Sequence, residues 1–428
     1  MSTSAPTSID ASAQPGRAEV NLSNKPSPHS LKNRLARVFW GVVQLSIFRY
    51  SPPKAYAWRR MLLRMFGARI GSGVRVGRRL RVWGPWNLVV HDGASIGDYC
   101  DLYSVDHIEI GRNTHIDIAC YLCGATHDHT HPRFPLTPAP IVLKDDVWLE
   151  SDCFVGPGVT IGRGAVLRAR TSAFKDLAPD LMYLGSPARP VGPADGPFDP
   201  FAGATPVTSR EDSMNIPAAH DARPQVDISH ARSAFSARHR LMRAVWNVVW
   251  VVLFRPSPRP LHKWRNLLLR LFGARISPKA RVYPRAKVWA PWNLVMEDYA
   301  TLADDVDCYC VDTISVGKHS VISQYTYLCG ATHDYQHPSR PLVPLPVTIG
   351  SQCWIAADVF VAPGVSIGEG SVVGARSAVF RDLPAWKVCV GTPARPIGDR
   401  ILGDLSPHKN LPKGERPEDA HSTEGASA

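Results

Sequence analysis

The sequence predicts an all-β solenoid: two parallel β-helix domains in tandem, each with capping helices at its N-terminal end. Two observations predict it. The first is a duplication. CGATHD occupies residues 123–128 and again 329–334, FGARI residues 66–70 and 272–276, PWNLV residues 85–89 and 291–295, and PARP residues 187–190 and 393–396. Every pair is offset by 206, with no gap needed from about Leu35 to Gly192, which marks a whole-domain repeat. The second observation is a period of six inside each copy. Ile349, Ile355, Val361, Ile367, Val373 and Val379 form one aliphatic row; Leu143, Leu149, Val155, Ile161 and Leu167, closed by Ala173, form another. Val76, Val82, Leu88 and Ile110, Ile116, Leu122 keep the same step upstream.

A period of six is neither the 3.6 of a helix nor a plain alternation of two. It fits short strands separated by tight turns, three strands to a coil, with each coil stacked on the last in parallel sheets. Gly or Ala often follows the aliphatic residue, as in Ile161-Gly162 and Ile367-Gly368, where a crowded corner excludes bulk. An accidental rhythm in a β-sandwich does not repeat twice over five coils' worth of chain.

The elements follow in order. Residues 1–30 read as a disordered tail and 31–192 as the first domain. Residues 193–233, rich in Pro, Ala, Asp and Ser, read as a flexible linker, 234–402 as the second domain, and 403–428 as a second tail. Each domain begins with helical spacing over 34–64 and 240–270, broken at SPP (51–53) and PSPRP (256–260). These segments read as amphipathic caps that hide the end coil. Their basic, Trp-rich character also suits a peripheral membrane contact.

The chain has 428 residues, 44% of them hydrophobic, and a formal net charge of +12. That balance favours an anionic partner: nucleic acid, anionic lipid or a phosphorylated cofactor. The first residues lack the apolar core of a secretory signal. Nine cysteines, an odd number, suit reduced thiols in the cytoplasm. The longest apolar stretches, 38–48 and 245–254, are well short of the roughly 20 residues that span a bilayer.

The hexad rhythm breaks once per copy, over 124–140 and 330–346, and an inserted loop in a solenoid marks its functional face. Both loops open on Thr-His-Asp: Thr126-His127-Asp128 and Thr332-His333-Asp334. A neutral imidazole can take a proton from an alcohol near neutral pH. A loop histidine held by backbone hydrogen bonds is the plain alternative. CYLC at 120–123 lacks the second pair a zinc site needs, and Thr326 replaces its first cysteine in copy two. His127, His129 and His131 form an HxHxH run that copy two reduces to His333 and His337.

YLCGATHD, the loops ending PLTPAPIVL and PLVPLPVTI, the coils DVWLESDCFVGPGVTIG and QCWIAADVFVAPGVSIG, and the ends LGSPARPV and VGTPARPI carry a resemblance. The chain resembles the hexapeptide-repeat sugar O-acetyltransferases, a family of left-handed β-helices. It is similar to that family's colanic acid biosynthesis, maltose, galactoside and nodulation-factor members. The resemblance covers both copies almost end to end and implies the handedness.

It further implies transfer of an acetyl, or other short acyl, group from acetyl-CoA to a sugar hydroxyl in bacterial surface-glycan assembly. No metal and no nucleic acid are involved. His127 and His333 match the general base. Positions matching coenzyme A contacts are Ser151, Ala169, Lys175 and Arg189 in copy one, and Ala357, Ala375, Arg381 and Arg395 in copy two. Ser104 and Cys310 stand where many relatives have an acceptor-binding asparagine. Asp106 and Asp312 follow as polar contacts or orienters of the histidine, and Asp128 and Asp334 are expected on the acceptor side. A homotrimer with sites between subunits is the implied assembly. Glu150 and Arg168 replace Ala356 and Gly374 near the cofactor side. That difference predicts that copy two is the competent site and copy one the weaker. Other readings are a γ-type carbonic anhydrase and an inactive scaffold.

Overall fold

A computed structural model of the protein describes residues 19–23, 29–196, 235–334, 336–337 and 339–403. Most of the expected linker and nearly all of the second tail lie outside the described residues.

Each copy is a stack of five triangular coils. In copy one the first face is a parallel sheet of Arg69–Ile70, Leu88–Val90, Ile108–Ile110, Ile141–Leu143 and Thr160–Ile161. The second face stacks Arg75–Val76, Ser95–Ile96, His115–Ile116, Trp148–Leu149, Val166–Leu167 and Leu181–Leu184, closed by antiparallel Arg189–Pro193. The third stacks Arg81–Val82, Asp101–Tyr103, Tyr121–Cys123, Phe154–Val155 and Ser172–Ala173. Copy two repeats these strands 206 residues on, with a third face of Lys287–Val288, Asp307–Tyr309, Tyr327–Cys329, Phe360–Val361 and Ala378–Val379.

The aliphatic rows point inward: Val76, Ile110, Ile116, Leu149, Val155, Ile161 and Leu167 are all fully buried. The rhythm also slips where the sequence showed no break. Arg69 pairs with Val89 and Val89 with Glu109, a spacing of 20, whereas Val142 pairs with Thr160, a spacing of 18. The two extra residues lengthen first-face strands, so Leu88 and Val90, then Ile108 and Ile110, both point into the core.

The caps solve an edge problem. The first coil has no coil beneath it, so its carbonyls lack the donors that stacking supplies elsewhere. In copy one the cap comprises α1 (Leu31–Val43), a π-helical continuation (Gln44–Phe48) and α2 (Tyr56–Met65). Arg59, fully buried on α2, donates Nε to Val76 O at 2.6 Å and its terminal nitrogens to Ser51 Oγ, Pro52 O and Pro53 O. Arg60 donates to Val74 O, Arg64 to Ile70 O, and Trp40 Nε1 to Val82 O. In copy two, α3 (Ala237–Val249) and α4 (His262–Leu271) repeat the arrangement, with Arg265 donating to Val282 O and Trp246 to Val288 O.

The two copies pack side by side, the third face of copy one against the second face of copy two. Arg81 Nη1 lies 2.8 Å from Asp305 Oδ2, Gln324 Nε2 donates to Tyr121 OH at 2.6 Å, and Arg376 Nη1 lies 3.1 Å from Asp152 Oδ1. Burial alone would weaken the charge on Arg81, but Asp101, Tyr325 and Asp305 together raise its pKa. These contacts advance together along both copies. The solenoids therefore run in the same direction, with both caps at one end.

The 1–30 segment departs from the expected tail at residues 19–23. Val20 and Leu22 are buried against copy two, with Val20 N–H donating to Gln352 Oε1 and Leu22 N–H to His319 Nδ1. A five-residue stretch with two apolar side chains carries no period to detect. Copy one also continues past Gly192 to residue 196, where Ala194 N–H bonds Asp180 O.

Candidate active site

The loop at the rhythm break is a β-hairpin. Ala125–His127 pairs antiparallel with Leu136–Pro138, and Ala331–His333 pairs with Leu342–Pro344. Each histidine sits at the last paired position of its strand, opposite Leu136 or Leu342. The imidazoles are held alike. His127 Nδ1 is 3.0 Å from Phe134 O and 3.2 Å from Pro135 O, and His333 Nδ1 is 2.8 Å from Arg340 O. A carbonyl only accepts, so Nδ1 carries the proton and the lone pair falls on Nε2, the tautomer a base requires. The backbone-held loop histidine thus keeps, in its neutral form, the tautomer that a general base would need.

The surroundings of the two histidines differ. His127 meets copy two: its ring stands edge-on to Trp354, with centroids 5.8 Å apart and planes at 90°. Phe134 makes a second edge contact with Trp354 at 5.9 Å, and His129 lies over the same indole at 6.4 Å. Trp354 is 7% exposed, and its Nε1 donates to Ser323 Oγ at 3.0 Å. The hairpin is gripped from other directions too. Arg400 Nε donates to His129 O at 2.9 Å, Gly403 N–H to Thr130 O, and Asn21 N–H to Pro132 O. Burial first, then the Arg400 charge, holds the His129 pKa below its ordinary value. His333 is exposed, and Trp148, the copy-one counterpart of Trp354, is 43% exposed.

The sequence-predicted site residues therefore group across copies. Ala357, with Ala375 beside it, lies against Tyr121, Cys123 and Phe154 of copy one, on the same copy-two face as Trp354. Arg381 and Arg395 are exposed toward the far end of copy two. Ser151 is half-buried and Ala169 exposed on the outward second face of copy one, with Lys175 and Arg189 exposed beyond them. On that face Glu150 Oε1 lies 2.6 Å from Arg168 Nη1, and its Oε2 accepts from Ala169 N–H at 2.8 Å. The reading of copy two as the competent unit rested on Glu150 and Arg168 standing where copy two has Ala356 and Gly374. The structure groups His127 with the small residues of copy two instead.

Two acceptor-side expectations are corrected. Ser104 is fully buried, its hydroxyl bonded to both Gly84 N and Gly84 O at 3.0 Å. Cys310 is equally buried, its thiol 3.2 Å from Ala290 N and O. Both stitch neighbouring coils and present nothing to a ligand. Asp106 Oδ1 accepts from the next backbone N–H at 2.7 Å, and Asp312 repeats that bond. Asp128 Oδ1 accepts from Thr130 N and Oγ1; partial burial would raise its pKa, but these bonds lower it overall. Asp334 accepts from Gln336 N–H. Among the described residues no group of three His, Cys, Asp or Glu converges as a metal-ligand set, and Cys120 and Cys123 are buried. Sequence reasoning missed Trp354, Phe134 and Arg400. The tryptophan repeated at 148 and 354 was a visible signal; that Trp354 faces the other copy was not.

The comparisons agree with this architecture. Residues 346–381 match the model described as bacterial transferase hexapeptide (six repeats). The chain is 48% identical over 157 residues to the colanic acid biosynthesis acetyltransferase WcaF of Escherichia coli (strain K12), covering 37% of this chain and 86% of that protein. It is 34% identical over 159 residues to the galactoside O-acetyltransferase of the same organism, covering 35% of this chain and 74% of the other. A hexapeptide-repeat acetyltransferase of Vibrio cholerae O1 biovar eltor, solved with acetyl coenzyme A, superposes at TM-score 0.37 and 23% identity over 40% of this chain and 93% of that one. The class is that of β-helical acyl-transfer enzymes. The chain belongs to the hexapeptide-repeat acetyltransferases, and its two domains are parallel β-helices.

Proposed function

We propose that the protein transfers an acetyl, or other short acyl, group from acetyl-CoA to a sugar hydroxyl in bacterial exopolysaccharide or surface-glycan assembly, using His127 as general base. The observation that carries this is the imidazole geometry: Nδ1 bonded to loop carbonyls, the lone pair on Nε2, and the ring set against Trp354 of the other copy. The relatives' names support the reaction and acceptor class.

The residues present fit coenzyme A. Ala356, Ala357, Gly374 and Ala375 put small residues on copy two's side of the seam with copy one, and Arg381 and Arg395 offer exposed cations for phosphate groups further along. The cofactor supplies an acyl thioester. His127 Nε2 would take the proton of the acceptor hydroxyl as its oxygen bonds to the thioester carbonyl carbon; the C–S bond then breaks and the imidazolium returns that proton to the departing thiolate. Asp128, held ionised by Thr130, stands beside the base on the acceptor side.

Copy two's third face, beside His333, and copy one's second face, bearing Trp148, point outward. Heterologous faces of this kind join further subunits until a ring closes. The assembly is proposed as a homotrimer in which such faces meet. A cytoplasmic location suits the nine unpaired cysteines, all buried. The test is thiol release from acetyl-CoA across a panel of sugar nucleotides and glycans. Acceptor-dependent release in the wild type that is lost in His127→Ala supports the reading; no release with any acceptor refutes it.

A further inference from the structure

The helical caps close the first coils with their inner faces, where Trp40, Phe48, Leu62 and Leu63 are buried, as are Trp246 and Phe254 in copy two. Their outer faces are apolar as well. In copy one Leu35, Val38, Val42 and Leu45 recur at helical spacing and are 51–63% exposed. In copy two Leu241, Val248 and Val252 are 60–65% exposed. A groove of about 580 Å3 between the π-helical turn and α2 is lined by Leu45, Ile47, Tyr50 and Trp58. An apolar stripe on the side of a helix turned away from its own core calls for an occupant.

Charge identifies the occupant. Residues 31–65 hold eight Lys or Arg and no Asp or Glu, and residues 237–271 repeat both counts. The rest of the chain then has 33 Lys and Arg against 37 Asp and Glu, a net of −4, so the caps carry more than the whole excess of +12. Lys32, Arg34, Lys54, Arg238, Arg240 and Lys263 are exposed, and no ion pair to a carboxylate is found for them among the described residues. Both caps lie at the same end, so their stripes and cations form one surface of a single sign. A second copy of that surface would oppose cation to cation. No helix among the described residues is long and apolar enough to cross a membrane. Cations around an aliphatic and aromatic stripe match a helix lying in the headgroup region of an anionic bilayer.

We propose that the paired caps are a docking surface for an anionic lipid bilayer, with the solenoid axes leading away from the membrane. The inference does not depend on which histidine is the base or on the acceptor. The test is sedimentation of the full chain with vesicles of phosphatidylcholine alone and of phosphatidylcholine with phosphatidylglycerol. Binding to the anionic vesicles is expected to be at least about tenfold stronger and to fall as salt rises. A variant with Val38→Glu, Val42→Glu, Val248→Glu and Val252→Glu alters only exposed positions; it is expected to lose binding while keeping its thermal transition. No binding to either vesicle, or equal binding to both, overturns the proposal. So does a variant whose mass in solution drops without vesicles, which would assign the face to a second copy of this chain.

Discussion

The grouping of His127 with copy two sets the two histidines apart, and separate substitutions resolve them. His127→Ala removes the proposed base, which has Trp354 beside it; His333→Ala removes an exposed imidazole with no aromatic neighbour among the described residues. Loss of a general base costs roughly 10²–10⁴-fold in turnover, or about 3–5 kcal/mol of barrier. The structural cost is smaller. One aromatic edge contact contributes about 0.5–1.5 kcal/mol and one hydrogen bond to a loop carbonyl about 1 kcal/mol, so destabilisation stays near 2 kcal/mol. That shifts Tm by several degrees and leaves the protein folded at assay temperature. His127→Asn keeps a side-chain donor near Phe134 O without a base, and should separate positioning from proton transfer. The assay is acceptor-dependent thiol release from acetyl-CoA, read beside a thermal melt. The expected result is at least about a hundredfold loss in His127→Ala and His127→Asn, and less than about a twofold change in His333→Ala. A large loss in His333→Ala with activity retained in His127→Ala would refute the grouping.

Three further outcomes are expected. Arg59→Met leaves the carbonyls of Val76, Pro52 and Pro53 without their donor, so destabilisation of about 3 kcal/mol or more should appear in denaturant unfolding; an unchanged midpoint would show that the cap does not close the coil. Arg376→Ala removes the cation between Asp152 and Asp358, whose pKa burial already raises despite that cation; with partial exposure the cost is about 1–2 kcal/mol, and calorimetry should show the copies beginning to unfold separately. Docking of residues 19–23 should depend on pH. His319 Nδ1 accepts the Leu22 N–H, and burial, then the Lys318 charge, holds its pKa below 6.5. A lowered folded pKa means the contribution is complete above about pH 6.5 and is lost as pH falls through the folded value. The protection factor of the Leu22 amide, corrected for the intrinsic exchange rate at each pH, should fall over that interval, and a constant protection factor to about pH 4 would contradict it.

Much of the fold was legible because a solenoid writes its geometry into the chain. One aliphatic residue per strand end, every six residues, gives the coils, and residues such as Leu149 and Ile355 sit in the core where the row places them. The slip of two residues was not legible, because Leu88 and Val90 satisfy a hexad row and a two-residue alternation alike. Thr-His-Asp at the rhythm break located both histidines. The acceptor positions were read from sequence place alone, which carries no information on burial, and Ser104 and Cys310 proved to be inter-coil bonds.

The sequence by itself determined that two copies of one β-helix exist, where each breaks rhythm, and that the N-terminal helices are cationic without a single carboxylate. These are properties of order along the chain. Only the tertiary structure decided which copy faces which. Contacts such as Arg81 with Asp305 join residues more than 200 positions apart, between side chains that differ from their own repeats Lys287 and Tyr99. Equivalent sequences thereby became inequivalent surroundings within the chain: a copy on one side of the shared interface has its histidine against Trp354, and the copy on the other has its histidine exposed.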